Sequence, residues 1–489
     1  MKPLKPFDIP LSGINLIEAS AGTGKTYNIT SIYIRTLIEK PVTVDQILVM
    51  TFTKAATKEL KDRLLKRLRE SILALKTGKS EKDTFLEKLL QSVQHRAQAI
   101  AALTKAVRSF DEAAIFTIHG FCQQVLQQYA FESGAQYNAE LIEDESELTQ
   151  ELIDDYWRRW VADCSGDISK LALLRLMTAK GFNPAKLAKE IGNISRFVDK
   201  KIIPETKGKA GREKELETLS VQFKKLQQIW AEDKNEIIAA LNYEHLNGRR
   251  YNKKSIPGWV EQMDLLLTGD IPPVVLFDKF EKFTQSYLVE SVNKAGTPVH
   301  HPFFEAAEVY EKTAQAFQDY PITFKLELLS FLQKELPLKK KKLGVFSYAD
   351  QLTQIQTALQ NGEELAEILR KKYPVALVDE YQDTDPVQYD IFQKIYSGGD
   401  ENISFFMIGD PKQSIYGFRG ADIFSYLKAR NSIPQENVFG LNANYRSVPK
   451  LIDALNTFWG RLKTPFVVED IAFNPVNPGW PEREYKQFT

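Results

Sequence analysis

An apolar run, Ile14–Ala19, opens into the small-residue loop Ser20-Ala21-Gly22-Thr23-Gly24. Lys25-Thr26 then head a segment whose apolar positions Ile29, Ile32, Tyr33 and Leu37 recur at helical spacing. That order restricts the chain to folds in which a buried strand ends at a tight turn with a helix N-terminus beside it. Further apolar runs at Ile47–Phe52, Ala114–Thr117, Val375–Val378 and Phe405–Ile408 are followed by helix-like sequence, the pattern of parallel strands with crossover helices. The expected fold class is α/β, a parallel sheet covered by helices, with functional loops at the C-terminal ends of the strands.

Between residues 141 and 344 the strand signal gives way to Glu, Lys, Leu and Gln, which predicts a helical domain inserted into that sheet. Within it Leu216, Leu219, Phe223, Leu226, Trp230, Ile237 and Leu241 step as a helical core seam. Gly208 to Gly211 and Pro272-Pro273 are expected to turn. Lys339-Lys340-Lys341-Lys342 suits a solvated connector, with contact to a phosphate backbone as the alternative.

Charge advertises no global polyanion partner: Lys plus Arg and Asp plus Glu each number 64, for a net charge of zero. Nucleic-acid binding would have to be local. Residues 1–13 carry Lys2, Lys5 and Asp8 but no apolar signal region, and no run is long enough to span a membrane, so a cytoplasmic location is expected. Cys122 and Cys164, the two cysteines of the chain, predict buried thiols rather than a disulfide or a zinc site.

The loop from Ala19 to Thr26 has the residues of a phosphate cradle. Gly22 and Gly24 let backbone N–H groups close on phosphate oxygens, Lys25 offsets their charge, and the Thr26 hydroxyl suits a magnesium ion. Ala19 stands where the pattern usually has its first glycine. Asp379-Glu380, ending the apolar run Val375–Val378, suit a second magnesium contact and a general base for water. Together these residues point to nucleotide hydrolysis.

The block Asp379-Glu380-Tyr381-Gln382-Asp383-Thr384 resembles the DE[FY]QDT signature of superfamily 1 helicases of the UvrD/Rep type. Other blocks follow in that family's order. Thr51-Phe52-Thr53 resembles motif Ia, although Lys54-Ala55 replaces the usual Asn-Lys. Phe116–Phe121 resembles motif Ib, Gly409–Ala421 motif III, and Asn444-Tyr445-Arg446-Ser447 motif IV. Ile17–Gly22, Thr117–Cys122, a turn at Phe131-Glu132-Ser133-Gly134 and Gly420–Phe424 look most like the RecB branch, the β chains of exodeoxyribonuclease V.

The resemblance implies a RecA-like P-loop domain 1A from residues 1–140 and 345–430, an inserted helical domain 1B at 141–344, and the incomplete start of a second RecA-like domain 2A at 431–489. It implies ATP and magnesium, single-stranded and duplex-end DNA, RecC- and RecD-like partner subunits, and 3′ to 5′ movement. Glu380, Lys25, Asp379, Gln413 and Arg446 take the catalytic roles, with Arg419 also reaching the phosphates. Tyr445 and Tyr27 flank adenine. Arg63 aligns with an arginine near the base, and a solvated face suits it equally on a helix as charged as this one. Thr51, Phe52, Thr117, His119, Tyr416 and Phe418 line the DNA track. No glutamine precedes the loop to read adenine. The chain stops at Thr489 without motifs V and VI or a nuclease domain, so a fragment that binds ATP with little turnover is expected. A stand-alone UvrD/Rep/AddA-type helicase, a scaffolding relative that binds but does not turn over ATP, or a P-loop ATPase acting on something other than DNA remain as the alternatives.

Overall fold

A computed structural model describes residues 1–130, 140–191, 209–397 and 403–480, and of 209–213 and 419 the backbone alone. The turns expected at 131–134 and at Gly208 lie outside the described residues, and Lys209 to Gly211 begin a helix instead. The chain divides into one unit of residues 1–142 and 346–489 and another of 143–345.

Among the described residues the first unit is built on seven parallel strands: β1 Lys2–Pro3, β2 Gly13–Ala19, β3 Ile47–Thr51, β4 Ile115–Thr117, β5 Val375–Val378, β6 Ser404–Gly409 and β7 Val438–Leu441. Their spatial order is β1-β7-β2-β6-β5-β3-β4. Alternation along each strand feeds two cores. Leu16, Leu48, Met50, Ala376, Val378, Phe405 and Met407 pack on one face with Phe121, Ile355 and Phe392. Ile17, Ile47, Val49, Val375, Leu377, Phe406 and Ile408 pack on the other with Ile32, Leu64 and Leu103. Strands buried on both faces have to be nearly all apolar, which explains why the runs carried no polar alternation.

Register brings the strand ends level. Glu18 pairs with Gly409, Val378 with Met407 and with Met50, and Thr51 with Thr117. The loops that follow Ala19, Thr51, Thr117, Val378 and Gly409 therefore leave the same edge of the sheet. Helices α1 Lys25–Glu39, α2 Lys54–Thr77 and α3 Ile118–Gln128 start at that edge. Thr53 Oγ1 caps α2 by accepting the Ala56 N–H at 3.1 Å, and Thr117 Oγ1 caps α3 by accepting the Gly120 N–H at 3.1 Å.

The sheet does not stop at residue 430, where a second domain was expected to begin. β7 lies between β1 and β2, with Val438 and Phe439 buried in the two cores. Gly440 interrupts its apolar run, Val438-Phe439-Gly440-Leu441, so no continuous stretch stood out as a strand.

In the second unit the seam residues Leu216, Leu219, Phe223, Leu226, Trp230, Ile237 and Leu241 are all buried, on the helix Lys209–Leu241, which kinks at Asp233. Residues 268–279, around Pro272-Pro273, form an irregular connection. The lysine run is not a connector. It ends the helix Tyr320–Leu343, where Lys339 pairs with Glu151 and buried Lys340 reaches Glu145 at 2.7 Å. Cations in a last helical turn also meet the negative end of the dipole. Cys122 and Cys164 are buried free thiols. Burial pushes Cys164 up to about 11 and Cys122 higher. Among the described residues no helix is long and apolar enough to cross a membrane.

Candidate nucleotide site and aromatic track

The loop after β2 takes its shape from two glycines in the left-handed region, Gly22 at φ +78° and Gly24 at φ +89°. Thr23 folds back to donate through N–H and Oγ1 to the Ser20 carbonyl, at 3.2 and 2.7 Å. Gly24 is the N-cap of α1, and its carbonyl accepts the Asn28 backbone and side-chain amides at 3.1 and 2.9 Å. Lys25 and Thr26 thus occupy the first turn, beside the unpaired N–H groups of the helix start.

The segment after β7 docks on this loop. Asn444 Nδ2 donates to the Ala21 carbonyl at 2.9 Å, and the Tyr445 N–H donates to the Gly22 carbonyl at 2.8 Å. Asn444 Oδ1 also accepts the N–H groups of Arg446 and Ser447, each at 2.9 Å. A Cβ on Gly22 would stand 2.6 Å from Arg446 Cβ, so only glycine admits this approach.

Asp379 and Glu380 arrive from β5. The Asp379 N–H donates to the Met50 carbonyl at 2.9 Å, extending the ladder by one residue. Glu380 then turns to φ +54°, an uncommon conformation for a residue with a Cβ, at a cost of roughly 1–2 kcal/mol. The turn directs its carboxylate at the phosphate loop, where Lys25 Nζ lies 2.9 Å from Oε1 and 2.8 Å from Oε2.

One lysine faces three neighbouring carboxylates, and the others show the deficit. Burial, then the Glu380 charge, push Asp379 up to about 6, against the opposing pull of Lys25. The same two causes push Asp383 up to about 6, and its Oδ1 is buried without a hydrogen-bond partner. An under-compensated set of oxygen donors beside a lysine and a helix N-terminus fits a magnesium-bound phosphate chain.

Gln413 stands in the turn Pro411–Gln413 and donates through Nε2 to Asp410 Oδ2 at 2.6 Å. Lys412 Nζ reaches Asp410 Oδ1 at 2.6 Å. Arg419 ends the short turn Gly417–Arg419.

Each residue expected near the base has partners of its own. The Tyr27 hydroxyl donates to Asp83 Oδ1 at 3.0 Å, and its ring lies 4.8 Å from the Arg67 guanidinium. Arg67 makes a fork to Asp83 at 2.9 and 3.0 Å. Burial would raise Asp83, but the Arg67 hydrogen bonds and the Leu86 N–H override it and hold the carboxyl below its usual range. Arg63, one turn earlier on α2, is exposed and pairs with Glu59 at 2.5 Å, so the arginine beside Tyr27 is Arg67. Tyr445 packs edge-on against Trp480, with ring centroids 5.8 Å apart.

Of the residues expected on the DNA track, three come together. Phe52, after β3, stacks on Tyr416 at 5.1 Å, and Tyr416 lies 5.9 Å from Phe418, which is 74% exposed. Thr51 is buried and shares a 2.6 Å hydrogen bond with Thr57, while Thr117 serves as the α3 cap. His119 packs edge-on against Tyr348 at 5.3 Å, and burial lowers its basicity. Tyr348, Arg67, Trp480 and the docking role of Asn444 carried no local sequence signal, because each depends on a partner distant in the chain.

Residues 5–434 match the UvrD/REP helicase N-terminal domain. Among curated proteins the chain is similar to RecBCD enzyme subunit RecB of Escherichia coli (strain K12), at 34% identity over 486 residues, covering 97% of this chain and 40% of that protein. It is similar to the subunit of the same name from Haemophilus influenzae, at 34% over 523 residues, 97% of this chain and 42% of the relative. The Chlamydia trachomatis subunit is 30% identical over 497 residues, 98% of this chain and 46% of the relative. The chain thus spans less than half the length of these relatives.

Proposed function

Because the chain belongs to the UvrD/REP helicase family, we propose that it is the ATP-hydrolysing part of a RecB-like DNA helicase subunit that moves 3′ to 5′ and acts in double-strand-break repair and recombination. The observation that carries this reading is the contact of Lys25 with Glu380, which joins the loop after β2 to the acidic end of β5 across 355 positions of sequence.

In this reading Lys25 and the N–H groups of residues 20–26 bind the triphosphate of ATP, and Thr26 and Asp379 hold magnesium. Bound magnesium neutralises charge on the phosphate oxygens. Glu380 orients a water molecule and accepts its proton. Gln413, Arg446 and Arg419 serve the phosphate side, and Tyr27 and Tyr445 the base. The stacked Phe52 and Tyr416, with exposed Phe418, suit bases of any sequence, because every base has a π face.

Single-stranded and duplex-end DNA are the proposed substrates, RecC- and RecD-like subunits the proposed partners, and the cytoplasm the proposed compartment. The inserted unit is read as domain 1B, and the residues after β7 as the approach to a second RecA-like domain. The test is ATP hydrolysis by the full-length protein with and without oligo(dT). Stimulation in the native protein and its loss in Lys25→Gln and Glu380→Gln are expected. Hydrolysis indifferent to both substitutions would reject the assignment.

A further inference from the structure

Gln382 is 1% exposed, and both ends of its side-chain amide are engaged. Nε2 donates to Glu380 Oε2 at 2.8 Å and to Asp383 Oδ2 at 3.1 Å, while Oε1 accepts the Asp410 backbone N–H at 2.9 Å. Carboxylates accept and an N–H donates, so the amide fits in one orientation. The Gln382 backbone carbonyl also accepts Ser414 Oγ at 3.1 Å. One residue therefore touches the carboxylate proposed as general base and both ends of the loop Asp410–Ser414.

That loop leads to the aromatic pair. Its Asp410 holds Gln413, and two residues beyond Ser414 the chain reaches Tyr416, stacked on Phe52. Farther along, the Asp422 N–H donates to the Thr384 carbonyl at 3.1 Å, so the segment carrying Tyr416 and Phe418 is fastened at both ends to residues 382–384. The approach is too close for a side chain at position 409: a Cβ on Gly409 would lie 2.5 Å from Gln382 Oε1.

We propose that Gln382 is a positioning residue that ties the Glu380 carboxylate to the Asp410–Tyr416 loop, so that the orientation of the base and the placement of Tyr416 against Phe52 change together. A buried amide with no such task would need partners of any kind. This one has an acceptor of the hydrolytic site on one side and a donor of the track loop on the other. The inference rests on the reading of the site as that of a DNA-stimulated ATPase.

The test compares native full-length protein with Gln382→Leu, which removes both ends of the link, and Gln382→Glu, which keeps the acceptor for Asp410 and loses the amide donor to Glu380. Two quantities are read: kcat and KM for oligo(dT)-stimulated ATP hydrolysis, and the change in fluorescent oligo(dT) affinity when a magnesium complex of a non-hydrolysable ATP analogue is added. Losing a hydrogen bond to a charged group predicts a kcat lower by roughly 10–100-fold in both variants, with KM changed less than about threefold. The analogue-dependent change in oligo(dT) affinity is expected to vanish in both. If Gln382→Leu does not fold, Gln382→Glu alone decides, being nearly isosteric. Native-like kcat and native-like linkage in a folded variant would overturn the role of Gln382 and leave the helicase reading standing. Absence of oligo(dT) stimulation in the native protein would instead overturn the helicase reading, and this inference with it.

Discussion

Phe52 and Tyr416 stack with ring centroids 5.1 Å apart, although one follows β3 and the other lies beyond β6. The pair exists because both strands end at the same edge of a parallel sheet. A base–aromatic stack contributes about 1–3 kcal/mol, so Tyr416→Ala is expected to weaken oligo(dT) binding by roughly tenfold. Fluorescence anisotropy at fixed salt measures this, and unchanged affinity would remove Tyr416 from the track.

Gly22 and Gly24 both have positive φ, yet their surroundings differ. Gly22→Ala meets Arg446 Cβ at 2.6 Å and must push the docked Asn444–Arg446 segment away. Gly24→Ala has nothing nearer than 3.8 Å and bears only backbone strain of about 1–2 kcal/mol. Gly22→Ala should therefore lower the melting temperature more and also weaken nucleotide affinity. Equal losses in the two variants would show that the docked segment is not held by this contact.

Asp379 and Asp383, both pushed up to about 6, make stability depend on pH in a defined direction. A carboxyl whose folded-state pKa exceeds its unfolded value binds its proton more tightly in the folded protein. Its contribution is full below about pH 4 and is lost as pH rises through about 6. Asp379→Asn removes one of these charges and is expected to stabilise the protein at pH 8 by about 1 kcal/mol after allowance for solvent screening, with no gain at pH 4. Thermal melts at the two pH values measure it, and a gain confined to pH 4 would reverse the sign.

Magnesium should act on the same charges from outside. If Thr26 and Asp379 hold the ion, magnesium with ADP raises the melting temperature of the native protein more than ADP alone, by RT ln(1 + [L]/Kd). The extra increment should disappear in Asp379→Asn. Its persistence there would place the metal elsewhere.

Arg67 forks onto Asp83 and lies under the rings of Tyr27 and Phe85, at 4.8 and 4.9 Å. Asp83→Ala leaves a nearly buried guanidinium with only the longer Glu70 contact at 3.5 Å, for which a loss of about 3 kcal/mol is expected. Arg63→Ala breaks an exposed pair with Glu59 and should cost less than about 1 kcal/mol. Urea titrations of the two variants separate them, and similar midpoints would contradict the assignment of Arg67 as the anchoring arginine.

Much of this was readable in the chain itself. A buried strand is apolar along its whole length, a phosphate loop needs glycines, and a helix seam repeats at fixed spacing, so β2 to β6, residues 19–26 and the seam from Leu216 to Leu241 were recognisable from local pattern alone. β7 was not, because Gly440 breaks its short apolar run, Val438-Phe439-Gly440-Leu441. Nor was the helical setting of Lys339–Lys342, whose charges suit a connector equally well until Glu145 and Glu151 stand opposite.

What belonged to sequence was the kind of residue: a glycine-containing loop ahead of a helix, an acidic pair at a strand end, and aromatics in loops. What tertiary structure alone decided was which groups meet. Lys25 with Glu380, Gln382 with Asp410, Asn444 with Ala21, and Arg67 rather than Arg63 with Tyr27 are contacts between segments that share no local pattern. The register of parallel strands sets them by bringing distant strand ends to one edge, and no spacing along the chain encodes that register.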